Sequence, residues 1–190
     1  MLANQLHGVQ VILICGARTD DGATSVAAHL ALILADMDRT PVALADVSQS
    51  RSALEQLLKG ALPGRHLKEV FPQGSRLSVQ QTQVQNFYLV TAAQGETSLM
   101  ALLQPLDLLR RLRERFKYVI LNTPPVIVHP DTALLATKAD GVMLVAQAGK
   151  SRLDELEAAK VELERVGAHI LGVVLSQCKE HLPKLLADRM

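Results

Sequence analysis

Residues 8–35, GVQVILICGARTDDGATSVAAHLALILA, carry the reading that decides the fold. The run GVQVILIC (8–15) is apolar on both faces of an extended chain, as in a strand of a parallel sheet covered by helices on either side. From Thr24 to Met37 the apolar residues recur with helical period, and GARTDDGATS joins the two runs as a loop. Five more strand-like runs follow: PVALADV (41–47), FYLVTAA (87–93), YVILNTP (118–124), GVMLVAQA (141–148) and HILGVVLS (169–176). Helical period returns over 52–59, 98–116, 132–138 and 152–166. Strand and helix alternate throughout, which predicts a doubly wound α/β domain: a mostly parallel sheet, helices on both faces and right-handed crossovers. In such a fold the ligand cleft lies beyond the C-terminal ends of the strands.

Punctuation refines the boundaries. Asp131 or Thr132 is positioned to cap the helix after Pro130, and Gly167 to close the helix that ends in ELERVGAH. Gly60, Pro63, Gly64, Pro72 and Gly74, followed by the polar run LSVQQTQVQN, mark 60–85 as an irregular surface excursion from a single domain spanning 1–190. A short terminal helix is expected from near Pro183.

Composition narrows the function classes. The 190 residues suffice for one well-buried core, and 48% hydrophobic against 21% charged residues is too apolar for a disordered chain. A net charge of +1 without a long block of like charge, and 3% aromatics without Trp, argue against nucleic acid and against sugar-stacking clefts. Cys15 and Cys178 lie in apolar runs without metal-ligand spacing and read as buried, reduced thiols. The start lacks a basic leader with a small-residue cleavage site, and the most apolar helix, 26–35, falls well short of the roughly 20 residues of a membrane span. A soluble, cytoplasmic protein is expected.

Chemistry is expected at 15–25, 46–51 and 122–131, the loops after three candidate strands. The first lies where a phosphate-binding loop would turn backbone N–H groups and a helix N-terminus toward an anion. Such a loop reads GxxxxGK[ST]. Gly22 fits the second glycine, Gly16 the first only by a shift of register, Thr24 and Ser25 fit the hydroxyl positions, and Ala23 stands where the lysine belongs. The loop's one cation is Arg18, while Asp20 and Asp21 bring negative charge toward the phosphate position. Each like-charge contact at about 4 Å costs on the order of 4 kcal/mol at an effective dielectric near 20. Tight nucleotide binding is disfavoured.

With VILICG, a loop and GATSVAAHLALILA, then PVALADVSQSR, then YVILNTPPVIVHPDTALLATKADGVMLVAQAGKSR and finally GAHILGVVLSQ, nearly the whole chain resembles the bacterial tyrosine kinases. These are cytoplasmic P-loop domains related to the MinD/ParA ATPases, which work with polysaccharide co-polymerases in capsule and exopolysaccharide export. The departures fall on the positions to which the resemblance assigns the chemistry. The family's loop lysine is Ala23, the second Asp of its LIDAD strand end is Ser48, the Asp of its DTPP motif is Asn122, and Asp46 alone survives of three acidic positions. In the family those carboxylates hold Mg²⁺ and accept the tyrosine proton, so phosphoryl transfer should be lost. The tyrosine-rich tail has no counterpart, because Tyr88 and Tyr118 lie in strand runs and no Tyr follows. Few residues precede the first strand, where the family carries an Arg-containing helical motif, which puts its ring assembly in question.

Plainer roles compete for the same residues. Gly22, Thr24 and Ser25 serve a capped helix start as well as they would serve residual anion binding. Asp46 is read as capping a neighbouring loop rather than holding a metal, and Asn122 as fixing loop geometry through its amide. His29 and His169 are read as core or half-buried histidines, and RLRERFK (111–117) as a solvated helix side with partner or anionic-lipid docking as the other reading.

The resulting expectation is a degenerate, pseudokinase-like member of the family that acts as a scaffold or regulator in exopolysaccharide or capsule biosynthesis. The alternative is an active or nucleotide-switching MinD/ParA-type ATPase in which Arg18 or Lys150 replaces the lysine. No cofactor is expected, and ATP with Mg²⁺ is disfavoured. The resemblance implies as partners a membrane-anchored polysaccharide co-polymerase or another polysaccharide-export protein, an active kinase, or further copies of the chain, with peripheral placement at the inner membrane through the partner.

Overall fold

A computed structural model describes residues 8–37, 39–47, 54, 77–92 and 106–178. In chain order the elements are β1 (Val11–Gly16), α1 (Ala23–Met37), β2 (Val42–Asp46), β3 (Leu77–Gln81), β4 (Phe87–Ala92), α2 (Leu106–Arg115), β5 (Tyr118–Asn122), α3 (Pro130–Ala136), β6 (Gly141–Gln147), α4 (Leu153–Arg165) and β7 (Ile170–Ser176). The seven strands form one sheet in the order β3-β4-β2-β5-β1-β6-β7. Every neighbouring pair is parallel except β3 with β4.

The central strand β1 shows why its sequence is apolar on both faces. Val11, Leu13 and Cys15 join one core layer with Leu109 and Leu112 of α2, Leu135 of α3, and Ala159 and Leu163 of α4. Ile12 and Ile14 point the other way, against Ala27, Ala28, Ala31, Leu34 and Ala35 of α1. Alternate residues of a strand face opposite sides, so a covered sheet needs an apolar residue at every step. Each such side chain contributes about 1.5–3 kcal/mol by leaving water. The alanines of α1 present a low profile to the sheet. Burial pushes the Cys15 thiol up to about 12, so it behaves as a core hydrophobe.

At the N-terminal end of the strands, Asp140 fastens β1 to the elements around it. Its Oδ2 accepts the backbone N–H groups of Gln10 at 2.9 Å and Val11 at 2.7 Å. The guanidinium of Arg113 donates to both carboxylate oxygens, at 2.7 and 2.8 Å, and to the carbonyl of Lys138 at 3.1 Å. Partial burial works to raise the Asp140 pKa, but the hydrogen bond from Arg113, those from Val11 and Gln10, and the Arg113 charge together hold it below the usual carboxylate value.

Several expectations are corrected. Within 60–85, residues 77–81 form a regular strand: Leu77 and Val79 are buried, Ser78, Gln80 and Gln81 half-buried, the period-two pattern of an edge strand with one covered face. It returns into β4 through a turn in which the Thr82 hydroxyl donates to Phe87 O at 3.0 Å and Asn86 takes a positive φ of 63°. β7 is not covered on both sides, because it is the other sheet edge; Val173 and Leu175 are exposed, as is Cys178 beyond it. His29 and His169 are also exposed rather than core or half-buried. Neither Asp131 nor Thr132 caps α3: His129 is the N-cap without a side-chain bond, Pro130 opens the helix, and the buried Thr132 hydroxyl turns back to the carbonyl of Pro124 at 3.1 Å. Gly167 closes α4 as expected, with φ +73° and its N–H on the carbonyl of Glu164. The expected helix over 52–59 apart from residue 54, the start of the 98–116 helix, the helix near Pro183, and Ser48 lie outside the described residues. Among the described residues no helix is long and apolar enough to cross a membrane.

Candidate functional site

The C-terminal ends of β1, β2 and β5 meet at one place. Register pairs Ile14 with Asn122 and Asp46 with Asn122, so the polar tips of β2 and β5 stand beside the loop that leaves β1. Asn122 is fully buried, and its side-chain amide donates to Thr24 Oγ1 at 3.1 Å and to Asp46 Oδ1 at 2.8 Å. Three of the candidate positions, Thr24, Asp46 and Asn122, are thus brought together. Ser25 is not: it shares a bond with His29 Nδ1 at 3.3 Å, on a groove of about 360 Å³ between α1 and β7. Ala23 begins α1 and has no charge to offer, while Ser48 is not among the described residues.

The loop from Ala17 to Gly22 closes on itself. Asp21 is 2% exposed. Its Oδ2 accepts the backbone N–H of Arg18 at 2.7 Å, its Oδ1 accepts the Ser151 hydroxyl at 2.5 Å, and its carbonyl accepts the Ser176 hydroxyl at 2.5 Å. Ser151 Oγ in turn accepts the N–H of Gln147 at 2.6 Å. Two glycines permit the closure. A Cβ at Gly16 would stand 2.5 Å from the carbonyl of Arg18 and 3.1 Å from the Asp21 Cβ, and Gly22 holds φ +85° with Ser176 Oγ 3.1 Å from where its Cβ would be. Ser151, Ser176 and the inward turn of Asp21 were not singled out from the sequence, where nothing local marks contacts over 130 and 155 positions.

Asp20 stays exposed, unlike Asp21. The alternative cations stand apart from the loop interior. Arg18 turns outward to Glu155, 3.4 Å away, with side chains 54% and 32% exposed. Glu155 also accepts the N–H of Arg152 at 3.3 Å, and Lys150 is exposed. A magnesium–nucleotide pair needs oxygen ligands for the metal and a cation or free N–H groups for the phosphates. Here an amide nitrogen lies between Thr24 and Asp46, and a carboxylate already holds the N–H of Arg18. The described donor set does not fit that pair. Among the described residues no cluster of three His, Cys, Asp or Glu side chains could hold a metal ion.

No protein-family model matches the chain. It is 26% identical over 176 residues to the tyrosine-protein kinase CpsD of Streptococcus agalactiae, across 90% of this chain and 76% of that protein. Among solved structures, the kinase domain of the Escherichia coli tyrosine kinase ETK superposes with a TM-score of 0.72 at 22% identity, covering 95% of this chain and 74% of that one. The MinD cell division protein of Aquifex aeolicus superposes with a TM-score of 0.66 at 16% identity, covering 94% and 73%. The fold is therefore the architecture that tyrosine-kinase domains share with MinD, and by sequence the chain is similar to bacterial tyrosine-protein kinases.

Proposed function

We propose that the chain is a catalytically degenerate tyrosine-kinase-like protein that acts as a scaffold or regulator in exopolysaccharide or capsule biosynthesis and export. The observation that carries this reading is the buried Thr24–Asn122–Asp46 cluster, where a neutral amide donates into the two oxygens that a metal would need. With Ala23 in place of a lysine, the described residues at the strand tips offer neither a cation for a phosphoryl group nor a pair of carboxylates for a metal and a base. In this reading the protein works through its surfaces. Its partners are a membrane-anchored polysaccharide co-polymerase or another export protein, an active kinase, or copies of itself, reached from the cytoplasmic side of the inner membrane.

Three measurements test it. Calorimetric titration with ATP and ADP, with and without Mg²⁺, should give no heat of binding up to millimolar concentrations. Magnesium-dependent hydrolysis or phosphotyrosine formation that Asp46→Ala abolishes would overturn the degenerate reading. In cells that lack the protein, the Asp46→Ala variant should restore polysaccharide output as well as the wild type does; failure of a folded variant to do so would mean that chemistry at Asp46 matters.

A further inference from the structure

We infer that Asp21 is an autoinhibitory anion carried by the chain itself: its carboxylate occupies the loop between β1 and α1 and keeps it closed to phosphate. This rests on the proposed function and deepens it, since it names what holds the site shut.

Three features place the carboxylate in that role. It is buried inside the loop, over Gly16, where even a single added carbon would lie 3.4 Å from Asp21 Oδ2. It binds as an inorganic anion would, with one oxygen on the backbone N–H of Arg18 and the other on the Ser151 hydroxyl. It also stands just ahead of the first turn of α1, a helix of 15 residues whose N-terminal dipole favours negative charge. The described partners are neutral donors, and the guanidinium of Arg18 is engaged with Glu155. An arriving phosphate would thus compete for the same N–H and meet a like charge.

The contacts also make the closure cooperative. Asp21 touches the turn between β6 and α4 through Ser151, and the tip of β7 through its carbonyl and Ser176. Ser151 is itself positioned by the N–H of Gln147 at the end of β6. Opening the loop therefore means parting three segments, not rotating one side chain.

The test uses the full chain and sodium pyrophosphate as probe, read by thermal shift and by calorimetry. The wild type should show no change in melting temperature at millimolar pyrophosphate. Asp21→Ala should melt at a lower temperature and gain a pyrophosphate-dependent rise, because ligand that binds only the folded state stabilises it by mass action. Asp21→Asn, which keeps the shape and loses the charge, should bind pyrophosphate about tenfold more weakly than Asp21→Ala, the worth of one hydrogen bond still made inside the loop. If a folded Asp21→Ala is as silent as the wild type, the inference falls and the proposed function stands. If the wild type itself binds pyrophosphate or ATP, both fall. Should Asp21→Ala not fold, Asp21→Asn decides by the same two outcomes.

Discussion

Two aspartates close opposite ends of one sheet, and they are held by different means. Asp140, at the N-terminal end, accepts two backbone N–H groups and faces the Arg113 guanidinium across both oxygens. Asp21, at the C-terminal end, is more deeply buried and has a backbone N–H and a hydroxyl as its described partners. A paired carboxylate with good geometry is a fastening; a buried one held by neutral donors sits in a place shaped for an anion. The end of the fold that supplies stability is thus distinct from the end at which doubly wound sheets take their ligands.

The comparison breaks first at Asp140. Asp140→Ala should lower the unfolding free energy by about 3 kcal/mol, measured by urea denaturation, because it frees two N–H groups and strands a half-buried guanidinium. Part of that contribution depends on pH. The folded-state pKa of Asp140 is lowered, so its ionic stabilisation is fully present above the ordinary carboxylate pKa and is lost as pH falls through the lower folded value. The urea midpoint of the wild type should exceed that of Asp140→Asn by a constant margin near neutrality, and the margin should shrink below about pH 4.

At the other end, Ser151→Ala should cost about 1.5 kcal/mol in the same assay, since one hydroxyl serves both the Asp21 carboxylate and the N–H of Gln147. An effect as large as that at Asp140 would mean that the loop is a principal fastening of the fold. The smallest change is expected at Arg18→Ala. Its ion pair with Glu155 is exposed, so the loss should be about 0.5 kcal/mol or less and should vanish at high salt.

Much of this architecture was legible in the chain. The runs at 11–16, 42–46, 118–122 and 141–147 declare covered parallel strands because both faces of each must be apolar, and the helices between them keep their period. The edges read less well. LSVQQ alternates as an edge strand does, yet its glutamines and the flanking turn residues resemble a loop. HILGVVLS is as apolar as a central strand, yet β7 lies at the edge of the described sheet with its faces incompletely covered, and Val173 and Leu175 are exposed. Cys178 follows for the same reason, exposed at the end of a half-covered strand. Among the site residues, Ala23, Asp46 and Asn122 stood out by position, whereas Ser151 and Ser176 lie more than 120 residues from Asp21 and carry no local signal of the contact.

The sequence by itself determined the alternation of strand and helix, the apolar layers, and the neutral side chains at positions 23 and 122, because these depend on the kind of residue at a position and its local period. Only the tertiary structure decided which way the charges turn. Sequence placed Asp20 and Asp21 side by side as equal repellents of phosphate; packing left Asp20 in solvent and buried Asp21, because the Arg18 N–H of its own loop and the Ser151 hydroxyl of a distant turn supply the hydrogen bonds that a carboxylate needs when it leaves water. Arg18, the loop's own cation, likewise found its partner on α4, 137 positions away. Side-chain type is local, but the cost of burying a charge is settled by neighbours that only the fold assembles.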